Sequence, residues 1–297
     1  MSAFLVWNAG GVGNATTTCH LKLIDRKYNI AFFAILEPML PFNKASHFAR
    51  KLGLSQVCSN DSEGGKVWLC LPGNHNFTLL GATNQFLAVT LDCKGVTVVL
   101  VVVYAKCDYL LRRTLWSSLS PTLSTNLPVM LIGDFNIVKA DDEKLGGGPV
   151  LHAAKYDFVQ FIDSNSLYDV PFTGSRFTWH CNKNGSLLWE RIDRVLVNNN
   201  SMVDSMVVHI KRNHSDHTPF LLRTEEENNR GPDVSDAEVF TTVKDISEDS
   251  APSPDGFTSS IFIHAWTVVA EDVVTVVREF FWGKDLNDAL GASIIAL

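Results

Sequence analysis

From residue 1 to about residue 222 the chain alternates apolar runs of Val, Leu, Ile and Phe with polar connections punctuated by Gly, Asn and Pro. The pattern predicts strands at 3–7, 31–36, 67–71, 77–80, 86–92, 96–104, 128–133, 177–180, 189–197 and 218–222. Charged or polar residues recur around apolar ones at three- and four-residue spacing in 17–27, 43–52, 109–119 and 152–165, which predicts helices there. Strands outnumber helices and no regular βα repeat is present. The expected architecture is therefore a layered α/β sandwich, with a barrel or a doubly wound sheet disfavoured.

The pattern changes at 223–237, a polar stretch nearly free of apolar side chains that reads as a linker. Beyond it, Phe262, Trp266, Val269, Val273, Val276, Val277 and Phe280 fall on one helical stripe. One strong stripe makes a marginal domain by itself, so 238–297 is expected to be a short, mainly helical fragment or a docking element. Charge divides at the same place. Residues 1–222 carry 20 Lys and Arg against 17 Asp and Glu, a net of +3, whereas 223–297 carry 5 against 15, a net of −10. An anionic substrate on the first part is thus compatible with the acidic whole, although +3 is far from a strongly basic nucleic-acid footprint.

With 46% hydrophobic residues the chain can bury a sizeable core. Its longest apolar stretch, Val96 to Tyr104, is only about half of a membrane span, so no membrane partner is expected. Six cysteines without a C-x-x-C pair argue against a zinc module or a disulfide framework. Met1-Ser2-Ala3-Phe4 has no basic segment before its apolar residues, which speaks against a secretory signal. The expectation is an intracellular protein, nuclear or cytoplasmic and not secreted.

Several apolar runs end on groups that can do chemistry. Gly133-Asp134-Phe135-Asn136 follows the run 127–132, and Asp134 and Asn136, two apart, would share a face if the pleat continued. A carboxylate that can orient or deprotonate water beside an amide that can hold it is a sensible pair, although the same four residues also suit a turn. Ser215-Asp216-His217 repeats the arrangement. Asp193, within 190–196, could fix the tautomer of His217 and leave its second nitrogen to donate to a phosphate oxygen. Asp193 could equally pair with Arg194, and His217 could cap a loop. Glu37 and Asn8 end two further runs and offer oxygen to a hard cation such as Mg²⁺; Tyr104 ends a third. Each alone is an ordinary strand terminus. Their recurrence points to one convergent site for metal-assisted phosphodiester cleavage. Gly10-Gly11-Val12-Gly13 places Thr16 where a dinucleotide fingerprint needs glycine and reads as a tight turn, and 146–149 reads as a flexible loop. His209, His214 and His217 fit no metal-binding spacing.

Trp7-Asn8, the Glu37 strand end, Val103-Tyr104, Gly133-Asp134-Phe135-Asn136, Arg176-Phe177-Thr178-Trp179, Arg191-Ile192-Asp193-Arg194 and Ser215-Asp216-His217 stand in the order of the endonuclease/exonuclease/phosphatase superfamily. With Ile35-Leu36-Glu37-Pro38, Asp142-Glu143-Lys144-Leu145 and Trp189-Glu190-Arg191-Ile192-Asp193-Arg194, the chain over about residues 3–222 resembles the apurinic-like endonuclease domain of plant non-LTR (LINE-type) retrotransposons. The resemblance implies a DNase I-like four-layered αββα sandwich with its site at one edge. It further implies Mg²⁺ dependence with Mn²⁺ as a possible substitute, no small-molecule cofactor, and nicking of DNA by phosphodiester hydrolysis.

Carried onto matching positions, Glu37 would be the principal metal ligand, with Asn8 and Asp216 as ligand or orienting groups. Asp134 would activate water that Asn136 helps to hold. Tyr104 and His217 would contact the scissile phosphate, with Asp193 orienting His217, and Thr178 and Ser215 would face nucleic acid. Ala9-Gly10-Gly11 departs from the pattern where many relatives carry an arginine. The segment 250–257 is similar to the opening of the reverse transcriptase of these elements, with Ser253 in place of a glycine. No polymerase-type aspartate pair follows, so the chain resembles a shortened retrotransposon product. Two other readings stay open: an inactive relic that at most binds nucleic acid, and a phosphatase or phosphodiesterase of the same fold with another substrate.

Overall fold

A computed structural model describes residues 2–93, 95–183, 186–198, 205–212, 215–224, 236–245, 263–267, 269–270, 273–274 and 277. The chain divides into two compact units, Met1–Glu225 and Glu226–Leu297. The first opens with β1 (Ser2–Asn8), α1 (Ala15–Tyr28), β2 (Ile30–Leu36), α2 (Ala45–Lys51), β3 (Gln56–Ser59), β4 (Val67–Leu71), β5 (Phe77–Thr83) and β6 (Phe86–Cys93). It continues with β7 (Val96–Tyr104), α3 (Tyr109–Leu123), β8 (Val129–Asp134), β9 (Lys144–Leu145), α4 (His152–Ser164), β10 (Leu167–Asp169) and β11 (Phe172–Thr173). The strands β12 (Trp179–Lys183), β13 (Ser186–Glu190), β14 (Asp193–Asn198), β15 (Ser205–His209) and β16 (Phe220–Thr224) complete it.

These strands form a seven-stranded sheet, β11-β15-β16-β1-β2-β4-β3, a six-stranded sheet, β10-β14-β8-β7-β6-β5, and a small third sheet, β12-β13-β9. Alternation along the strands explains the layering, because successive side chains leave a sheet on opposite faces. Phe4 and Val6 of β1 join Phe32, Ala34, Leu100, Val102 and Ile132 in a core between the two large sheets. Leu5 and Trp7 point the other way, onto Leu21 and Ile24 of α1 and Phe48 of α2. On the far side Val101, Val103 and Leu131 pack on Leu115 and Trp116 of α3 and on Phe158 and Phe161 of α4. The order helix, sheet, sheet, helix is the four-layered αββα sandwich expected from the sequence.

Two parallel strand pairs set up the site. β1 runs beside β2 with Asn8 opposite Leu36, and β7 runs beside β8 with Tyr104 opposite Asp134. Parallel neighbours end together, so the carboxyl ends of all four strands carry polar groups. Gly133 makes the second pair possible: its φ is +135°, and a Cβ there would sit 2.0 Å from the Val103 carbonyl oxygen.

The expected strand 189–197 is broken at Arg191-Ile192, because β13 belongs to the small sheet and β14 to the six-stranded one. The Thr178 hydroxyl takes the amides of Ile192 and Asp193 at 3.1 and 3.0 Å, which satisfies the break internally. β3, β9, β10, β11 and β15 were not anticipated; all have five residues or fewer, too short for periodicity to speak. The stretch 146–149 is an exposed loop, and its first residue approaches the sheet backbone closely: a Cβ on Gly146 would lie 2.1 Å from the Leu187 carbonyl oxygen of β13.

In the second unit α5 (Asp236–Asp245) carries a buried Val239, and Phe240 stacks on Trp266 at 4.8 Å. The segment 250–257, most of the expected linker, and Phe262, Val276 and Phe280 of the helical stripe lie outside the described residues. No helix among the described residues is long and apolar enough to cross a membrane.

Candidate active site

At the edge where β1, β2, β7 and β8 end and β14 and β16 begin, the structure gathers most of the candidate residues. Asp134, the last residue of β8, is opposite Asp193, the first of β14, in an antiparallel pair. Both carboxylates are buried, with His217 beside them. His217 Nδ1 is 2.9 Å from Asp193 Oδ2, and its Nε2 faces Asn8 Nδ2 at 3.3 Å and Asp134 Oδ2 at 3.7 Å. Asp193 therefore holds His217, the first of the two pairings open from sequence. Arg194 points elsewhere, to Glu143 and Asp169.

The rest of the network fixes these groups. Asp134 Oδ1 accepts from the Asn136 amide at 2.9 Å, so Gly-Asp-Phe-Asn is both a strand end and a turn. Asn136, at φ +51°, donates its side-chain amide to the Ala105 carbonyl at 2.7 Å and to Asp134 Oδ2 at 3.3 Å. Asn8 donates to Asp134 Oδ2 at 3.2 Å. Ser215 Oγ donates to the Asn8 carbonyl at 2.8 Å and accepts from the His217 amide at 3.1 Å, tying the segment before β16 to the end of β1. Trp7 Nε1 donates to the His217 carbonyl at 3.2 Å. Trp7 went unassigned in the sequence because an indole in an apolar run reads as core, which it also is.

Charge in this buried cluster is shared. Burial pushes the Asp134 carboxyl up, and the neighbouring Asp193 carboxylate adds to that, against the opposing pull of His217 and two amide donors. For His217 burial works downward but is overcome by the charges of Asp193 and Asp134 and the hydrogen bond to Asp193, which push the imidazole up. The cluster thus favours a protonated His217 between two carboxylates.

Glu37 lies at the end of β2 with φ +48°, in the left-handed region, which costs a non-glycine residue about 1–2 kcal/mol. Its Oε1 accepts from the Tyr104 hydroxyl at 2.5 Å and from Lys66 Nζ at 3.3 Å. Burial and the hydrogen bond to Glu37 push the Tyr104 phenol far up, so it stays a donor. Asp216 is exposed, accepts from Trp179 Nε1 at 2.9 Å, and adds to the charge felt by His217. Thr178 departs from its expected place at a nucleic-acid surface: it is 0% exposed and its hydroxyl is spent on two backbone amides. Ser215, 9% exposed, likewise spends its hydroxyl on the backbone of Asn8 and His217. Beside the site His180 stacks on Trp189 at 4.8 Å, and the Arg212 guanidinium lies 5.2 Å over that indole, within 2.6 Å of His180 Nδ1.

Two donor sets could hold a cation. Ligand atoms of Asp134, Asp193 and His217 lie within 4.8 Å of one another, yet all three groups are buried and already engaged with one another and with the Asn8 and Asn136 amides. Glu37 and Asn8 fit a hard divalent ion better. The carboxylate of Glu37 is one-quarter exposed, and Asn8 Oδ1 has only a long 3.4 Å contact with the Gly10 amide, which leaves oxygen capacity unused.

A second buried cluster braces Asp193 from behind. Arg191 and Arg194 each bridge Glu143 and Asp169 at 2.5–2.8 Å. Burial alone would push Glu143 up, but the hydrogen bonds and charges of Arg194 and Arg191, with the Lys139 amide, pull it down to about 2; Asp169 is also held low. Carboxyls with depressed folded values stabilise fully above their ordinary range near about 4 and lose that contribution as pH falls toward 2. This cluster's contribution is therefore expected to be lost between about pH 5 and 2, so the urea midpoint should change less steeply over that range in Glu143→Gln than in the wild type. Equal slopes in both proteins would remove Glu143 from the acid response.

Residues 90–217 match the sequence model of the Endonuclease/Exonuclease/phosphatase family. No curated protein sequence matches the chain. Among solved structures, the fold is similar to the endonuclease domain of TRAS1, a telomere-specific non-LTR retrotransposon (TM-score 0.58, 14% identity, 76% of this chain and 100% of that one). It is also similar to the 3′ phosphatase NExo from Neisseria bound to product DNA hairpin (0.56, 18%, 75% and 99%). The AP endonuclease LMAP from Leishmania major is a third (0.57, 14%, 76% and 88%). At these identities the likeness establishes the shared DNase I-like fold.

Proposed function

We propose that the chain is a divalent-metal-dependent phosphodiesterase that nicks DNA, of the kind used by non-LTR retrotransposons at their target sites. The observation that carries this reading is the clamp of His217 between Asp134 and Asp193, at the strand edge that also presents Glu37, Tyr104, Asn8 and Asn136. The family match over residues 90–217 and the likeness to nucleases support it, and the TRAS1 domain favours DNA over other phosphodiesters.

In this reading His217, charged and oriented by Asp193, donates from Nε2 to a phosphoryl oxygen as negative charge develops. Asp134, its carboxylate fixed by Asn8 and Asn136, orients the attacking water and takes its proton. Tyr104 presents a neutral hydroxyl beside Glu37. Glu37 and Asn8 would hold Mg²⁺ or Mn²⁺, which supplies Lewis-acid stabilisation of the phosphoryl oxygens. Asp216 would orient the ion's surroundings from the exposed rim, and the Trp189 and Arg212 pair offers stacking and charge to a strand leaving the site.

The test is a substrate panel with Mg²⁺, Mn²⁺ and chelator: supercoiled plasmid, a 3′-phosphorylated oligonucleotide and a soluble phosphate monoester. Cleavage of plasmid alone, stopped by chelator, is the expected result. Turnover of the monoester without DNA cleavage would assign the fold's other substrate class. Glu37→Gln is expected to shift the Mg²⁺ midpoint upward by tenfold or more, on the scale of about 1.4 kcal/mol for one lost charged ligand. An unchanged midpoint would remove Glu37 from the metal.

A further inference from the structure

The root of Lys66 is fixed by backbone, and its half-exposed side chain carries the ammonium onto Glu37. Lys66 precedes β4, whose first residue Val67 pairs with Leu36, and its carbonyl oxygen accepts from the Glu37 amide at 2.9 Å. Its side chain is 49% exposed, with Nζ 3.3 Å from Glu37 Oε1 and 4.0 Å from the sulfur of Met39. The edge is rich in carboxylates: Glu37, Asp134, Asp193 and Asp216 gather there, and His217 neutralises part of the buried pair. Lys66 is the cation that the structure places on Glu37. An ammonium and a divalent ion repel each other, and both seek the same carboxylate.

We propose that Lys66 is a tethered counter-ion of the site, which holds Glu37 before a divalent ion arrives, is displaced by that ion, and then meets a non-bridging oxygen of the scissile phosphodiester. Lysine suits both positions because it is a compact point charge on a flexible stem and binds phosphate without a fixed geometry. The Ala9-Gly10-Gly11 segment offers no cation of its own at the end of β1, so this role falls to Lys66, just before β4 on the far side of β2. The phosphate half rests on the phosphodiesterase reading; the competition half does not need catalysis.

The two halves predict shifts of opposite sign in one variant. In the full chain, Mn²⁺ binding followed by calorimetry and by electron paramagnetic resonance should tighten in Lys66→Met. A gain of about fivefold is expected, the upper range for a half-exposed ion pair, and it should shrink in high salt. The KM of the same variant for a duplex oligonucleotide should rise roughly tenfold or more, as for a lost hydrogen bond between charged groups, with a smaller change in kcat. Lys66→Arg, which keeps the charge, should stay near wild type in Mn²⁺ affinity. A role confined to structure would weaken both kinds of binding together.

Unchanged or weaker Mn²⁺ binding by Lys66→Met and Lys66→Gln, or a wild type that binds no Mn²⁺, would overturn the competition. A wild-type KM in both variants would overturn the phosphate contact. If the wild-type chain binds Mn²⁺ but cleaves no nucleic acid, the phosphodiesterase reading falls while the Mn²⁺ comparison still decides whether Lys66 is the counter-ion.

Discussion

His217→Ala is expected to lower kcat for DNA nicking by about 10²–10³-fold, the scale of one lost transition-state donor. The ring is more than a donor, because it separates two buried carboxylates: without it Asp134 and Asp193 face each other with no cation between them. A fall in thermal stability should therefore accompany the lost rate, and activity must be measured well below the variant's unfolding temperature. Asp193→Asn separates the two effects. It keeps the shape of the partner but removes the charge that holds His217 protonated, so kcat should fall substantially with less loss of stability. A His217→Ala protein that is folded and nicks at the wild-type rate would take His217 out of the chemistry.

Arg194→Ala is expected to destabilise the first unit by about 3–5 kcal/mol, the usual cost of breaking a buried ion pair by removing one partner. Arg194 is 1% exposed and reaches both Glu143 and Asp169, with Phe158 under its guanidinium at 5.6 Å. Truncation leaves both carboxylates to Arg191 and opens a void beside the ring. The measurement is equilibrium unfolding in urea, and a cost below about 1 kcal/mol, the range of surface pairs, would show that the cluster is solvated in solution. Because Arg191 and Arg194 flank Asp193, the same variant should also reduce activity through the position of Asp193, even where it remains folded.

The chemistry-bearing strand ends were legible because each stands at a sharp change in pattern. Asp134 after Ile132-Gly133, Glu37 before Pro38 and Tyr104 after a run of valines announce themselves as termini of buried strands. Their convergence followed from the count of such ends together with parallel pairing, which brings neighbouring carboxyl ends to one edge. Thr178 was misplaced for a physical reason. A threonine in Arg-Phe-Thr-Trp reads as a surface hydroxyl, and only the break between β13 and β14 creates the two unpaired amides that draw it inward. The ion cluster was illegible because Glu143 and Asp169 come from segments far from Arg191 and Arg194, and each resembles an ordinary solvated charge. Lys66 was hidden likewise, since its partner Glu37 is 29 residues away and meets it only through the pairing of β2 and β4.

The most direct test is conversion of supercoiled plasmid to open circles by the purified 297-residue chain and its Asp134→Ala variant, side by side in Mg²⁺. Asp134 is the buried carboxylate to which Asn8, Asn136 and His217 are all directed. The wild type is expected to nick, to stop when the ion is chelated, and to exceed Asp134→Ala by at least about a hundredfold. Equal nicking by the two proteins, or none by the wild type in either Mg²⁺ or Mn²⁺, would contradict the assignment of this edge as a DNA-cleaving site.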